Sequence, residues 1–349
     1  PSRSVASPRH TRQTMRHAHT PTSARAQART VAVLSDIHYA SAAEQARGSD
    51  YEYRLIANPA LRLAVRLHRR YVWLRDPLNK NHLLDRFLEQ TAGCDFAVAN
   101  GDYSCNTAFV GVSDPAAGQS ARECLGRLRA QFKDRFRATF GDHELGKVSF
   151  VGGHGGMRLA SWHCALEHLA LEPLWRLEIG NYLLLGVVSS LVALPAFEAD
   201  TLPAERPEWH ELRQEHLAAI RRSFTSLAPT RKVLLFCHDP TALPFLLAEA
   251  EVRNRLDQIE QTIIGHLHSR LILWQAQLLA GIPRITFLGH TARRLSLGLS
   301  QARLWRPFKV RLCPSLAGIE LLKDGGYYLI HLDPAGAEPA RFQFCPIRR

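Results

Sequence analysis

The chain alternates short apolar runs with polar breaks, and five of these runs open into the same kind of residue. Val31-Ala32-Val33-Leu34 leads into Ser35-Asp36-Ile37-His38, Phe96–Ala99 into Asn100-Gly101-Asp102, and Phe136–Phe140 into Gly141-Asp142-His143-Glu144. Val233–Phe236 leads into Cys237-His238-Asp239, and Thr262–Ile264 into Gly265-His266-Leu267-His268. Runs of this length and composition read as buried strands; Arg137 interrupts the third and makes it the weakest. Further strands are predicted at Tyr182–Ser189, Arg284–Leu288 and Tyr327–Leu332, the last entered through the turn Asp324-Gly325-Gly326. Helical spacing predicts helices over residues 59–75 (stopped by Pro77), about 81–92, 157–170 and 207–224. Strands and helices mix throughout and no internal repeat is present. The expected organisation is one α/β domain over residues 30–349 with a helical insertion at about 42–80, after a basic, disordered tail at 1–29.

Two segments allow more than one reading. The helix at 59–75 is basic and amphipathic, with Arg62, Arg66 and Arg69 or Arg70 on one face and Leu61, Val65, Leu67, Tyr71 and Leu74 largely elsewhere. It reads as a packing helix with a solvated arginine face, or as an element that approaches an anionic or lipidic substrate. The glycine-rich run Val151–Met157 surrounds His154. Such a loop can clasp a phosphate with its backbone N–H groups, which makes His154 a candidate substrate contact, or can simply let the backbone pass closely.

Composition narrows the class. Apolar residues make up 46% and charged residues 22%, as in globular proteins. The net charge is +12, half of it from six arginines in residues 1–30, which hold no Asp, Glu or Lys. The rest is moderately basic, which suits an anionic substrate and would also suit nucleic acid or an anionic membrane surface. Seven cysteines are scattered without a Cys-x-x-Cys pair, a pattern expected of reduced thiols in a cytoplasmic protein. No apolar stretch is long enough to span a bilayer; peripheral association through the tail and the basic helix stays open. No obligate protein partner is evident. A Gly-x-Ser-x-Gly elbow is absent, which argues against serine esterase chemistry.

The polar breaks carry the chemistry. Strand ends along one sheet edge are where an α/β protein gathers ligands from distant parts of the chain. Asp36, His38, Asp102, Asp142, His238, His266 and His268 supply three carboxylates and four imidazoles. Two divalent ions need such a mixed shell, with a carboxylate shared between them. Three negative charges against four positive ones leave an excess that attracts a phosphate and stabilises a developing oxyanion.

In order and spacing, Asp-x-His, Gly-Asp, Gly-Asp-His-Glu, His and Gly-His-x-His resemble the calcineurin-like metallophosphoesterase superfamily, from about residue 31 to 332. The resemblance implies a four-layer α-β-β-α sandwich of two mixed sheets flanked by helices. It implies that Asp36, His38, Asp102 and His268 bind one metal, and that Asp102 bridges to a second held by Asp142, His238 and His266. His143 would lie over the substrate phosphate, protonating the leaving oxygen or stabilising the transition state. The implied activity is hydrolysis of a phosphodiester or phosphomonoester by a water activated between two ions, Mn or Fe/Zn. The alternatives are a catalytically silent metal- and phosphate-binding protein of the same fold, or a nuclease or lipid-directed pyrophosphatase at an anionic surface. Two departures stand out. Asp142 occupies a position that is usually Asn, adding a negative charge. Tyr103-Ser104-Cys105-Asn106 follows the second island, where Asn106 or Ser104 takes the place of the usual polar residue. Glu144 and Asp239 are expected to support the site, Glu144 by local hydrogen bonds and Asp239 by orienting an imidazole.

Overall fold

The computed structural model describes residues 28–149, 153–283 and 290–347, with the side chains of 290–295 left out. The predicted strand Arg284–Leu288 and all but the last two residues of the basic tail lie outside the described residues.

Among the described residues, ten strands form two five-stranded sheets. The first, in the order β10 (Arg341–Pro346), β9 (Gly326–Leu332), β1 (Arg29–Leu34), β2 (Phe96–Ala99) and β3 (Phe136–Ala138), has β1, β2 and β3 parallel, β9 antiparallel to β1, and β10 antiparallel to β9. The second runs β4 (Leu174–Ile179), β5 (Tyr182–Val187), β6 (Lys232–Cys237), β7 (Ile259–Ile264) and β8 (Val310–Leu312), parallel except for β4. Alternation along each strand sorts the residues into two layers. Val31, Val33, Val98, Leu184, Leu234, Phe236 and Ile263 meet between the sheets. Ala32, Leu34, Ala97, Leu183, Leu185 and Leu235 face outward, where helices such as His82–Gln90, Pro115–Phe132 and Arg206–Thr225 cover them. This is the four-layer α-β-β-α architecture that the resemblance implies.

Every strand that the sequence pattern misses is a sheet edge: β4, β8 and β10. An edge strand is short or half polar, because one face or one side meets water. Along β4, Arg176 and Glu178 are exposed between half-buried and buried apolar neighbours, so no apolar run is visible. The helix Pro115–Phe132 is also unanticipated. Its buried face is built largely from Ala116, Ala117, Gly118, Ser120 and Ala121, which carry little periodic signal, although Asp114-Pro115 is a start signal. The Asp114 carboxylate caps it by accepting from the N–H groups of Ala116 and Ala117 at 3.2 and 3.0 Å.

Predicted and observed ends differ where tertiary bonds compete. The basic helix spans Pro59–Tyr71 and not 59–75, because the carbonyls of Val72 and Trp73 accept from Leu321 and Glu320 of a passing loop. The predicted strand Tyr182–Ser189 stops at Val187, because the N–H of Val188 donates to Nε2 of buried His216 at 3.1 Å. Burial lowers the His216 imidazole from 6.5 to about 4, and that bond requires its neutral form. The neutral ring contributes fully above pH 6.5, and the contribution falls away as pH drops toward 4, because only the unfolded chain takes up the proton. We expect about 3 kcal/mol of acid-side destabilisation from this residue over that window. His216→Gln, which keeps an acceptor, should flatten it in chemical denaturation followed against pH; an unchanged profile would refute the assignment.

Candidate metal centre

Parallel pairing sets the strand ends level. Leu34 pairs with Ala99 and Ala99 with Ala138 in one sheet, and Phe236 with Ile263 in the other. The five polar breaks therefore leave the sheets along adjoining edges. Direct bonds tie the edges together: the carbonyl of Asn100 accepts from Nδ1 of His238, and Gly265 N–H donates to the carbonyl of His238 at 2.9 Å.

The backbone turns sharply at these ends. Asp36, His38, Asp102, His266 and His268 all have left-handed φ values, between 50° and 61°. This conformation is costly for non-glycine residues, and it concentrates at functional sites. Gly265 is required by space: a Cβ there would lie 2.1 Å from Ser35 Oγ and 2.6 Å from Asp36 Oδ2.

All seven candidate ligands come together. Asp36, His38 and His268 form one group with ligand atoms within 4.8 Å of one another, and Asp142, His238 and His266 form a second. Asp102 belongs to two further groups, one with His38 and His143 and one with Asp36 and His238. It thus lies between the two triplets. Nε2 of His268 is 3.3 Å from Asp36 Oδ1 and 3.4 Å from Nε2 of His38. Nδ1 of His266 is 2.9 Å from Asp142 Oδ1.

These atoms fit cations better than one another. The carbonyl of Ser104 faces Nδ1 of His38 at 3.3 Å, which turns the Nε2 lone pair of His38 toward His268. Nε2 of His238 lies 3.3 Å from Asp102 and 3.4 Å from Asp142, yet it is buried with no hydrogen-bond partner, as is Asp142 Oδ2. Buried orphan donors and acceptors of this kind are costly unless an ion completes them.

Charges inside the site respond to burial first. Burial pushes the Asp36 carboxyl up. Burial acts the same way on Asp142, but His266 and Lys147 outweigh it and hold that carboxyl well below its usual range. Burial would lower His238, but Asp102 and Asp142 raise it well above the ordinary imidazole value. The Glu144 carboxylate accepts from the N–H groups of Gly141, Tyr103 and Asp102 at 2.7, 2.8 and 3.0 Å, which locks the second polar break onto the third. Burial, with Asp102 adding to it, raises Glu144 to about 8, and the amides pull the other way.

No family model and no curated protein matches the chain. Among solved structures, it is similar to a dimetal phosphatase from Danio rerio, at 13% identity and a TM-score of 0.44, over 90% of this chain and 95% of that one. It is also similar to phosphopantetheinyl hydrolase from Mycobacterium tuberculosis, at 14% identity and a TM-score of 0.34, over 80% and 92%.

The remaining candidates divide. His143 stands at the site: its N–H donates to Asp102 Oδ1 at 3.0 Å, and its ring is 4.6 Å from that of His38. Nδ1 of His143 faces the Ser104 carbonyl at 2.9 Å, while Nε2 faces Lys147 Nζ. Burial lowers this imidazole to about 3, so it is neutral, with its proton on Nδ1 and an acceptor toward Lys147. Asp239 caps the following turn by accepting from Thr241 N–H at 2.8 Å, and its other oxygen lies 3.7 Å from His266 Nε2. Asn106 Oδ1 accepts from Gly111 N–H, a bond that shapes its own loop. Ser104 acts through its backbone carbonyl, which sequence cannot indicate. His154 is exposed and belongs to none of the four groups; its N–H donates to Ser149 Oγ at 3.0 Å and its carbonyl accepts from Ser149 N–H at 2.7 Å.

Two residues of the site are not foreseen by the sequence pattern. Lys147 sits 3.9 Å from Asp142 Oδ2, four residues beyond His143. It returns the positive charge that Asp142 removes. Trp73 lays its ring 4.9 Å from that of His268. A lysine four residues after the histidine of the third break was a readable signal; the tryptophan, nearly 200 residues from its partner, offered none.

Proposed function

We propose that this chain is a dinuclear metal-dependent phosphoesterase that hydrolyses a phosphodiester or phosphomonoester. The observation that carries this reading is the pair of Asp/His triplets with Asp102 between them at the joined sheet edges. Asp36, His38 and His268 would hold one ion, Asp142, His238 and His266 the other, with Asp102 shared. Divalent ions there, Mn or Fe/Zn by the mixed donor set, would supply Lewis-acid polarisation of the phosphoryl group and a water acidic enough to attack it.

The chain's own residues do the rest. The buried carboxylates orient through backbone amides, as Asp36 does by accepting from His266 N–H at 3.1 Å. His143 and Lys147 form a single unit beside Asp102 and Asp142. The imidazole accepts from the lysine, whose half-buried Nζ also lies 3.9 Å from Asp142 Oδ2. On this reading Lys147 would bind the anion and deliver the proton, with neutral His143 holding it in place.

The test uses the full chain stripped by a chelator and reloaded with Mn²⁺, Fe²⁺ or Zn²⁺, against chromogenic mono- and diesters. We expect about two metals per chain, hydrolysis only when metal is present, and loss on renewed chelation. Two bound metals with no turnover of any ester would favour the silent phosphate-binding reading. No bound metal would overturn the site itself.

A further inference from the structure

An amphipathic helix on a folded protein normally turns its apolar face inward. The helix Pro59–Tyr71 does the reverse. Its buried side chain is Arg69, which pairs with Glu52 and lies 5.7 Å from the centre of the Tyr51 ring. Leu61, Leu63, Leu67 and Tyr71 are 43%, 55%, 46% and 59% exposed. The helix stands firmly in this pose: Asn58 caps its first turn, Arg62 donates to the carbonyl of Ile56, and Val72 and Trp73 are bonded to the 320–321 loop. Leu321 and Leu322 of that loop are also exposed, next to the helix C-terminus.

At 100° per residue, Leu63, Leu67 and Tyr71 form one stripe, and exposed Arg66 and Arg70 run beside it. The helix contains no acidic residue. Such a stripe, flanked by arginines and low in overall hydrophobicity, has the form of a helix that lies in the interface of a membrane. We propose that this face docks on an anionic lipid bilayer, with Leu63, Leu67 and Tyr71 entering the acyl boundary and Arg66 and Arg70 meeting the headgroups. Charge selects this occupant. A second copy would set arginine against arginine across a two-fold axis, and a nucleic acid would use the arginines while leaving the leucines in water. Docking here brings the bilayer beside the metal centre, since Trp73 follows the helix and packs on His268. That the substrate is a phosphoester carried in a lipid headgroup rests on the function proposed above; the docking does not.

The experiment is co-sedimentation of the full chain with vesicles of phosphatidylcholine, with and without phosphatidylglycerol, at low and high salt. Three proteins are compared: wild type, Leu63→Ser/Leu67→Ser and Arg66→Glu/Arg70→Glu. We expect binding to the anionic vesicles that weakens with salt. The arginine pair should lower the partition coefficient by at least about thirtyfold, taking roughly 1 kcal/mol per arginine at an anionic surface. The leucine pair should abolish binding although it leaves the charge intact, which separates the helix from the arginine-rich tail. Hydrolysis of a soluble ester and thermal unfolding should be unchanged in both variants, because these side chains face water. The proposal is overturned if wild type ignores anionic vesicles at low salt, or if the leucine pair binds like wild type. It is equally overturned if the leucine pair instead dissolves a dimer, which would make the face a contact between copies. Retention on RNA that is lost only in the arginine pair, without vesicle binding, would assign the face to nucleic acid. Vesicle binding with no hydrolysis of any ester would keep the docking and remove the phosphoesterase reading.

Discussion

Replacing Asp102 with asparagine should lower metal-dependent hydrolysis by on the order of 10³-fold or more in kcat/KM, and should reduce the metal content of the purified protein. Asp102 is the carboxylate that reaches both triplets: it groups with His38 and His143, and with Asp36 and His238. Its Oδ1 accepts from His143 N–H, and its Oδ2 lies 3.3 Å from His238 Nε2. An amide of the same shape has no charge to share between two ions, and it turns an N–H₂ toward one of these neighbours. The loop itself should survive, because the backbone N–H of Asp102 and that of Tyr103 are held by Glu144. Metal analysis, kinetics and a thermal unfolding curve together check this. A variant that unfolds like wild type and retains activity would show that Asp102 is not shared between ions.

The second large effect concerns the charge pair of Asp142 and Lys147. Lys147→Met should lower kcat/KM by about a hundredfold, because it removes the cation beside His143 and leaves the extra charge of Asp142 uncompensated. Asp142→Asn in the same protein should recover part of that loss. The asparagine side chain would keep a ligating oxygen and drop the charge that Lys147 otherwise balances. A coupling of about 1–3 kcal/mol is expected for two groups that share one charge balance. The measurement is a double-mutant cycle on kcat/KM at fixed metal concentration. Strictly additive losses would mean that Lys147 acts independently of Asp142.

Much of this site was legible because its residues announce themselves locally. An apolar run ending in Asp or His is visible in one dimension, and five of them in a metal-binding combination leave few other readings. The strands that carry them, β1, β2, β3, β6 and β7, were readable for the same reason: most lie inside their sheets and are apolar on both faces. The edges β4, β8 and β10 were not, since solvent on one side permits polar residues that hide the strand. The helix Pro115–Phe132 escaped because the buried face of its first half is made of small residues, and only Leu125, Leu128 and Phe132 mark an apolar stripe in its second.

The sequence by itself determined the candidate donor set, the strand ends that present it and the α/β class, because burial imposes apolar runs and a metal site would impose residue types. Only the tertiary structure decided the rest. It brought Ser104's carbonyl to both His38 and His143, placed Lys147 against Asp142, and set Trp73 on His268 across nearly 200 residues. It also turned the leucines of the helix Pro59–Tyr71 outward and its Arg69 inward, against the usual sense of its periodicity. Periodicity shows that a helix has two faces; which face meets the protein depends on what lies opposite. Here that is Glu52 and the Tyr51 ring, an anion and a π-face that suit an arginine better than a leucine.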